Sequence, residues 1–183
     1  MKKFKLDIEK YKKYSGNKPS LILIITTQGL WALFVYRISN GIYKSKIPSL
    51  IKKILLLMAV CFQKFIEIIT GISLPYAATI GTRFYIAHHG HIIIHPKAII
   101  GDNCNIAQGV TVGVSGRGDK RGVPVIGNNV FIAANAVIAG KITVANNSVI
   151  GANSLVVTDV KEGTTVVGVP AVAINNNNSE AYI

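Results

Sequence analysis

The sequence predicts a mainly β fold, a parallel β-helix of stacked triangular coils, behind an α-helical N-terminal segment. Three observations predict it. An aliphatic residue returns at every sixth position, in Ile126, Ile132, Ile138, Val144, Ile150 and Val156. The first five of these are each followed by Gly or Ala: Gly127, Ala133, Ala139, Ala145 and Gly151. Asn or Asp then collects just behind the small residue, in Asp102-Asn103, Asn128-Asn129 and Asn146-Asn147. A period of six matches neither a helix nor strict strand alternation. It fits a coil in which each hexapeptide makes one side and one corner. The aliphatic side chain points inward, the small residue turns the corner, and Asn tolerates a left-handed backbone there. Stacked coils bury one continuous aliphatic column.

In chain order, residues 1–71 read as a basic, apolar helical segment. Residues 2–14 make a short basic amphipathic piece. Residues 20–44 make a second helical stretch, broken near Gly29 and Gly41. Pro48 opens a third helix that runs to Thr70 and stops at Gly71. There, Leu50, Ile54, Leu57, Cys61 and Phe65 or Ile68 share a face.

Residues 72–174 form the β-helix. Its earlier blocks run Ile80, Ile86, Ile92 and then Ile94, Ile100, Ile106, Val112, with a two-residue phase break between them. From Val112 to Ile126 the spacing exceeds two repeats by two residues. The excess falls in the Gly-rich, charged stretch Val114–Pro124, which reads as a loop thrown out from a coil. The Asn-rich residues 175–183 read as a disordered tail.

Charge is uneven. Residues 1–64 hold thirteen Lys or Arg against Asp7 and Glu9, whereas residues 65–183 hold seven against six acids. The net charge of +12 therefore belongs to the helical segment. The positive charge is not interleaved with exposed aromatics on a recognisable module, so nucleic acid is excluded as a partner. The apolar run Leu21 to Tyr36 is free of charge but, at sixteen residues, is shorter than the ~20 residues that span a bilayer. Peripheral association with the inner face of a membrane, through residues 1–64, fits this segment better than a span, and packing within an oligomer with solvated lysines outside is the alternative. The two cysteines, Cys61 and Cys104, carry no CxxC spacing, consistent with a reducing cytoplasm.

All four histidines, His88, His89, His91 and His95, lie within eight residues. Strand alternation puts His89 and His91 on one face and His88 on the other. No carboxylate or thiolate nearby completes a metal set, so no metal is expected. Structural roles for all four remain the plain alternative. A general base is the stronger reading, because imidazole has the right pKa to take a proton from an alcohol at neutral pH.

The stretch from about Leu74 to Ile174 resembles the hexapeptide-repeat acyltransferases, and within them the serine acetyltransferase-like branch. The likeness rests on Ala78-Thr-Ile-Gly-Thr-Arg-Phe-Tyr-Ile-Ala-His88-His-Gly-His-Ile, on Ile100-Gly-Asp-Asn-Cys-Asn-Ile-Ala-Gln-Gly-Val-Thr-Val-Gly113, on Val125-Ile-Gly-Asn-Asn-Val-Phe-Ile-Ala-Ala-Asn-Ala136, and on Val167-Gly-Val-Pro-Ala171. The resemblance implies a left-handed β-helix and a homotrimer with acetyl-CoA bound in a groove between neighbours. It makes His88 the catalytic base. It puts Gly113 near the acyl end, Ala134 and Ala152 along the pantetheine arm, and Lys161 with Arg117, Lys120 and Arg121 as candidates for the coenzyme's phosphates.

Three departures bear on the acceptor. The family's Asp that orients the base is Ser73 here, its Asp just before the base is Ala87, and its Arg-His pair before Pro124 is Gly122-Val123. A pocket without these charges has little to hold a zwitterion. The sequence therefore favours O-acetylation of a sugar hydroxyl in a bacterial surface polysaccharide or its precursor. Serine O-acetylation for cysteine synthesis is the alternative, and a non-catalytic scaffold is the third reading.

Overall fold

The computed structural model describes residues 1–183, with four α-helices ahead of fifteen short strands. The helices are α1 (Lys2–Tyr14), α2 (Ser20–Thr26), α3 (Gln28–Lys44) and α4 (Ser49–Thr70). Pro48 precedes α4, and Gly71 ends it in the left-handed conformation at φ 67°. The break within 20–44 falls at Thr27, two residues before Gly29, and the helix runs through Gly41 unbroken. Thr27 is extended, and α2 and α3 meet at 95°. Gly29 lies inside α3 because the helix crosses close to its neighbours there; a Cβ would come within 2.5 Å of the Tyr11 hydroxyl. No single helix is long and apolar enough to cross a membrane.

The strands form the three faces of a left-handed parallel β-helix. The first face stacks Ile72–Ser73, Ile92–Ile94, Thr111–Gly113, Val137–Ala139 and Leu155–Val156. The second stacks Thr79–Ile80, Ile99–Ile100, Val125–Ile126 and Thr143–Val144. The third stacks Tyr85–Ile86, Asn105–Ile106, Phe131–Ile132, Val149–Ile150 and Thr165–Gly168, on which Ala171–Asn175 folds back antiparallel. Every periodic aliphatic read from the sequence is buried in the column, none more than 2 % exposed. The small-residue rule has its reason in the stacking. A Cβ on Gly101 would strike the Gly127 backbone and the Asn128 side chain of the next coil. Asn103, Asn129 and Asn147 take φ of 59°, 54° and 59°, the left-handed corners expected of them.

The two breaks in phase resolve differently. Ile92 and Ile94 share one strand; Ile92 pairs back to Ile72 and Ile94 pairs on to Val112. At the second break, Ile126 pairs with Val144, a regular coil of eighteen residues, but Ile100 pairs with Ile126, twenty-six residues away. One side of one coil therefore carries eight extra residues, where the sequence was read as two sides plus two. The loop is pinched by the Ser115–Gly122 bridge and holds a 3-10 turn at Gly118–Lys120.

The helices cap the open end of the spiral by imitating a further coil. The Tyr36 hydroxyl donates to Ala78 O (2.8 Å) and accepts from Ile80 N–H (3.0 Å). The Tyr11 hydroxyl does the same for Ile86 O and N–H. Asp7 and Arg37 form a buried ion pair at 2.8 Å. Its outer atoms take the Phe84 N–H and donate to the Ile80 and Gly81 carbonyls. Backbone groups that would otherwise be orphaned at a sheet edge are thereby satisfied.

A hydrogen-bonded row runs up one corner. Lys10 Nζ donates to Asn103 Oδ1 (2.9 Å), Asn103 to Asn129 (2.8 Å), Asn129 to Asn147 (3.0 Å), and Asn147 to Glu162 (3.1 Å). A cation thus sits at the donor end and a carboxylate at the acceptor end. Burial, the largest cause, lowers the Lys10 pKa from 10.5 to about 8. Between those values the unfolded chain holds more protons than the folded one, so Lys10 makes stability rise with pH. Above 9 the Cys104 thiol opposes this, because burial pushes it up from 9 to about 11. Denaturant unfolding should therefore show stability increasing from pH 8 to pH 9, and Lys10→Met should remove the increase.

Residues 175–183, read from composition as a disordered tail, end in a 3-10 turn at Glu180–Tyr182. They lie along the same row of asparagines. Ser179 N–H donates to Asn147 O (3.0 Å), its hydroxyl to Asn129 O, and the Tyr182 ring stacks on Phe131 at 4.6 Å. The carbonyls of the corner and one aromatic face supply partners that a composition argument does not see.

Candidate active site

Strand register decides which residues share a corner. Ile86, Ile106, Ile132 and Ile150 are in register on the third face. The residues two places on, His88, Gln108, Ala134 and Ala152, therefore rise along one edge. His88 is exposed on the turn after Tyr85–Ile86. His89 and His91 are exposed on the same turn, so the alternation of faces expected of a strand does not apply. His91 takes φ 53°. His88 makes no side-chain hydrogen bond within the chain; neither Ser73, His91 nor a backbone carbonyl reaches it.

The opposite edge of the first face carries the other half of the site residues. Ile94 is in register with Val112, and Val112 with Ile138. His95, Gly113 and Ala139 therefore share this edge, and the extruded loop leaves from it. A cavity of about 600 Å3 opens here, lined by His95, Lys97, Val114, Arg121 and Val123 among others. His95 Nδ1 accepts the Lys97 N–H at 3.1 Å. On the far side of the loop, Lys120 and Lys141 line a second cleft of about 440 Å3.

Of the site residues expected from sequence, His88, Ala134 and Ala152 come together on one edge. Gly113 lies on the neighbouring edge with the loop. Lys161 lies on the third, next to the row of asparagines, where its carbonyl accepts the Thr164 hydroxyl at 2.7 Å. Sequence reasoning passed over Gln108. Its Oε1 is buried without a hydrogen-bond partner, one coil along from His88. Counting two places beyond each third-face isoleucine would have found it. No group of three or more His, Cys, Asp or Glu is placed to hold a metal ion.

Stacked hexapeptide coils with an exposed histidine at a corner define a class. Residues 124–158 match the family model described as bacterial transferase hexapeptide (six repeats), and the protein is a hexapeptide-repeat acyltransferase. A serine acetyltransferase of Bacillus pumilus is 35% identical over 158 residues, 86% of this chain and 69% of that one. A serine acetyltransferase of Brucella abortus in complex with coenzyme A superposes with a TM-score of 0.82 at 26% identity, over 96% of this chain and 68% of that one. The Neisseria gonorrhoeae serine acetyltransferase in complex with serine gives 0.80 at 30% identity, over 95% and 68%. The chain belongs to the serine acetyltransferase family.

This membership overturns the sugar acceptor favoured by the sequence. That reading rested on three positions, Ser73, Ala87 and Gly122-Val123. The likeness covers 158 residues, more than the β-helix alone, and so extends into the helices. Loss of individual charges at these positions weighs less than agreement over both parts of the chain.

Proposed function

We propose that the protein is a serine O-acetyltransferase, moving the acetyl group of acetyl-CoA to the hydroxyl of L-serine with His88 as general base. The observation that carries this reading is the 35% identity to a serine acetyltransferase over 86% of the chain. The exposed, unpartnered imidazole of His88 is free to meet an acceptor.

The chemistry balances on one proton. The serine hydroxyl gives its proton to the His88 imidazole as its oxygen attacks the thioester carbonyl. The tetrahedral intermediate collapses, the C–S bond breaks, and the imidazolium returns the proton to the departing thiolate. Ala134 and Ala152, on the His88 edge, leave the backbone open to the pantetheine arm. Gly113 and the loop cations Lys120 and Arg121 belong to the opposite edge of the same face. We take the working unit as a homotrimer in which one protomer's His88 edge meets the next protomer's loop edge. The division of the site residues between two edges of one chain supports this arrangement. With Ala87 and Val123 uncharged, Arg121 is the cation assigned to the serine carboxylate.

The test is acceptor choice. Thiol release from acetyl-CoA should require L-serine, and mass spectrometry should find O-acetylserine. Release driven by sugars and not by serine would remove the proposal.

A further inference from the structure

We infer that the outer face of α4 docks on an anionic phospholipid bilayer, lying in its surface without crossing it. This stands independently of the acceptor assignment. The face the sequence marked as shared, Leu50, Ile54, Leu57, Cys61, Phe65 and Ile68, points away from the protein. Leu57 is 68% exposed and Ile68 83%. The helix instead packs on α3 through its other side, where Ala59 is buried. Ile51, Met58, Phe62 and Ile69 are exposed beside that face. Together they span roughly 140° of the helix circumference, wider than a coiled-coil seam. Between α3 and α4 the surface opens into an apolar cleft of about 320 Å3, lined by Phe34, Ile38, Met58 and Phe62 among others. An apolar surface of this extent needs a covering.

Charge decides what covers it. From Lys10 to Ile66 the chain holds ten Lys or Arg and no carboxylate. Lys53 and Lys64 are exposed along the border of the apolar face, and Lys44 and Lys46 are exposed at the α3–α4 turn. The nearby Glu67 is already held by Lys64 at 3.0 Å. A second copy placed face to face would bring lysines against lysines with no free acid between them. An anionic lipid surface answers both features. Its headgroups take the ammonium groups, and the acyl boundary takes the apolar face. Lysines beside such a face bury their stems and keep their charges at headgroup level.

The test uses the full-length protein and flotation with vesicles of phosphatidylcholine, alone or mixed with phosphatidylglycerol. The protein should float with the mixed vesicles, at least tenfold less with phosphatidylcholine alone, and less as salt is raised. Leu57→Glu with Phe65→Glu should abolish flotation. Lys46→Gln and Lys53→Gln should each weaken it by about fivefold. In all these variants thiol release from acetyl-CoA in solution and the light-scattering mass should stay unchanged, because the substituted side chains are exposed. Absent flotation, or equal and salt-independent flotation on both vesicles, overturns the inference. So does a fall in assembly mass in the Leu57→Glu, Phe65→Glu variant, which would assign the face to another copy of the chain.

Discussion

Replacing His88 with alanine should lower kcat by about 10²–10⁴-fold, the usual contribution of a positioned general base. The KM for acetyl-CoA should change little, because the coenzyme is assigned to backbone-lined positions at Ala134 and Ala152 rather than to the imidazole. An alcohol is barely nucleophilic while it keeps its proton, whereas the thioester is already activated. The missing base therefore shows in the chemical step and not in coenzyme binding. His89→Ala, on the same exposed turn, should leave kcat within a few-fold. The measurement is steady-state thiol release with saturating serine, with circular dichroism to confirm the fold. Exposure makes the comparison clean, since none of the buried column depends on either ring. Full activity in His88→Ala would remove the base assignment. Loss in His95→Ala instead would move the chemistry to the cavity beneath the loop.

The spiral was legible because its information is local. Each side repeats the same six-residue instruction, so Ile132 or Val144 announces its burial, and Gly127 or Asn129 its corner, from immediate neighbours alone. Pro48 and Gly71 mark their helix by the same kind of nearby chemistry. What escaped was long-range or a matter of register. The Asp7–Arg37 pair joins residues thirty apart, and Tyr11 and Tyr36 bind backbone groups seventy-five and forty-two or more residues away. No periodic pattern marks such partners. The extruded loop was legible with its bounds, Val114–Pro124, but not which face resumes after it, because counting to the nearest multiple of six does not reveal that. Gln108 and the tail were missed for related reasons. Each is placed by what stacks beside it, not by its own sequence context. The acceptor could not be read from Ser73, Ala87 and Val123, since a missing charge does not say what stands in its place.

Asp7→Ala should be the most destabilising single change in the helical cap. Asp7 is fully buried and Arg37 nearly so, and the carboxylate takes both the Arg37 Nε–H (2.8 Å) and Nη2–H (3.0 Å). It also takes the Phe84 N–H at 3.0 Å. Removing it leaves a guanidinium in the interior with only the Ile80 and Gly81 carbonyls for partners, and leaves one backbone donor with none. Breaking one side of a buried pair costs about 3–5 kcal/mol. On a marginally stable domain that is a large fraction of the total. Arg37→Met together with Asp7→Leu should recover much of the loss, because the charge is removed with its partner and apolar groups fill the space. The edge carbonyls and the Phe84 N–H would still go unmet, so recovery should be incomplete. Urea unfolding of the single and double variants measures both effects. An Asp7→Ala protein as stable as the parent would show that the helices do not close the end of the spiral through this pair. The site shares the consequence, since Tyr11 holds Ile86, two residues before His88, through the same cap. Local fraying of the first coil in Asp7→Ala should therefore lower activity at temperatures where the rest of the spiral is still folded.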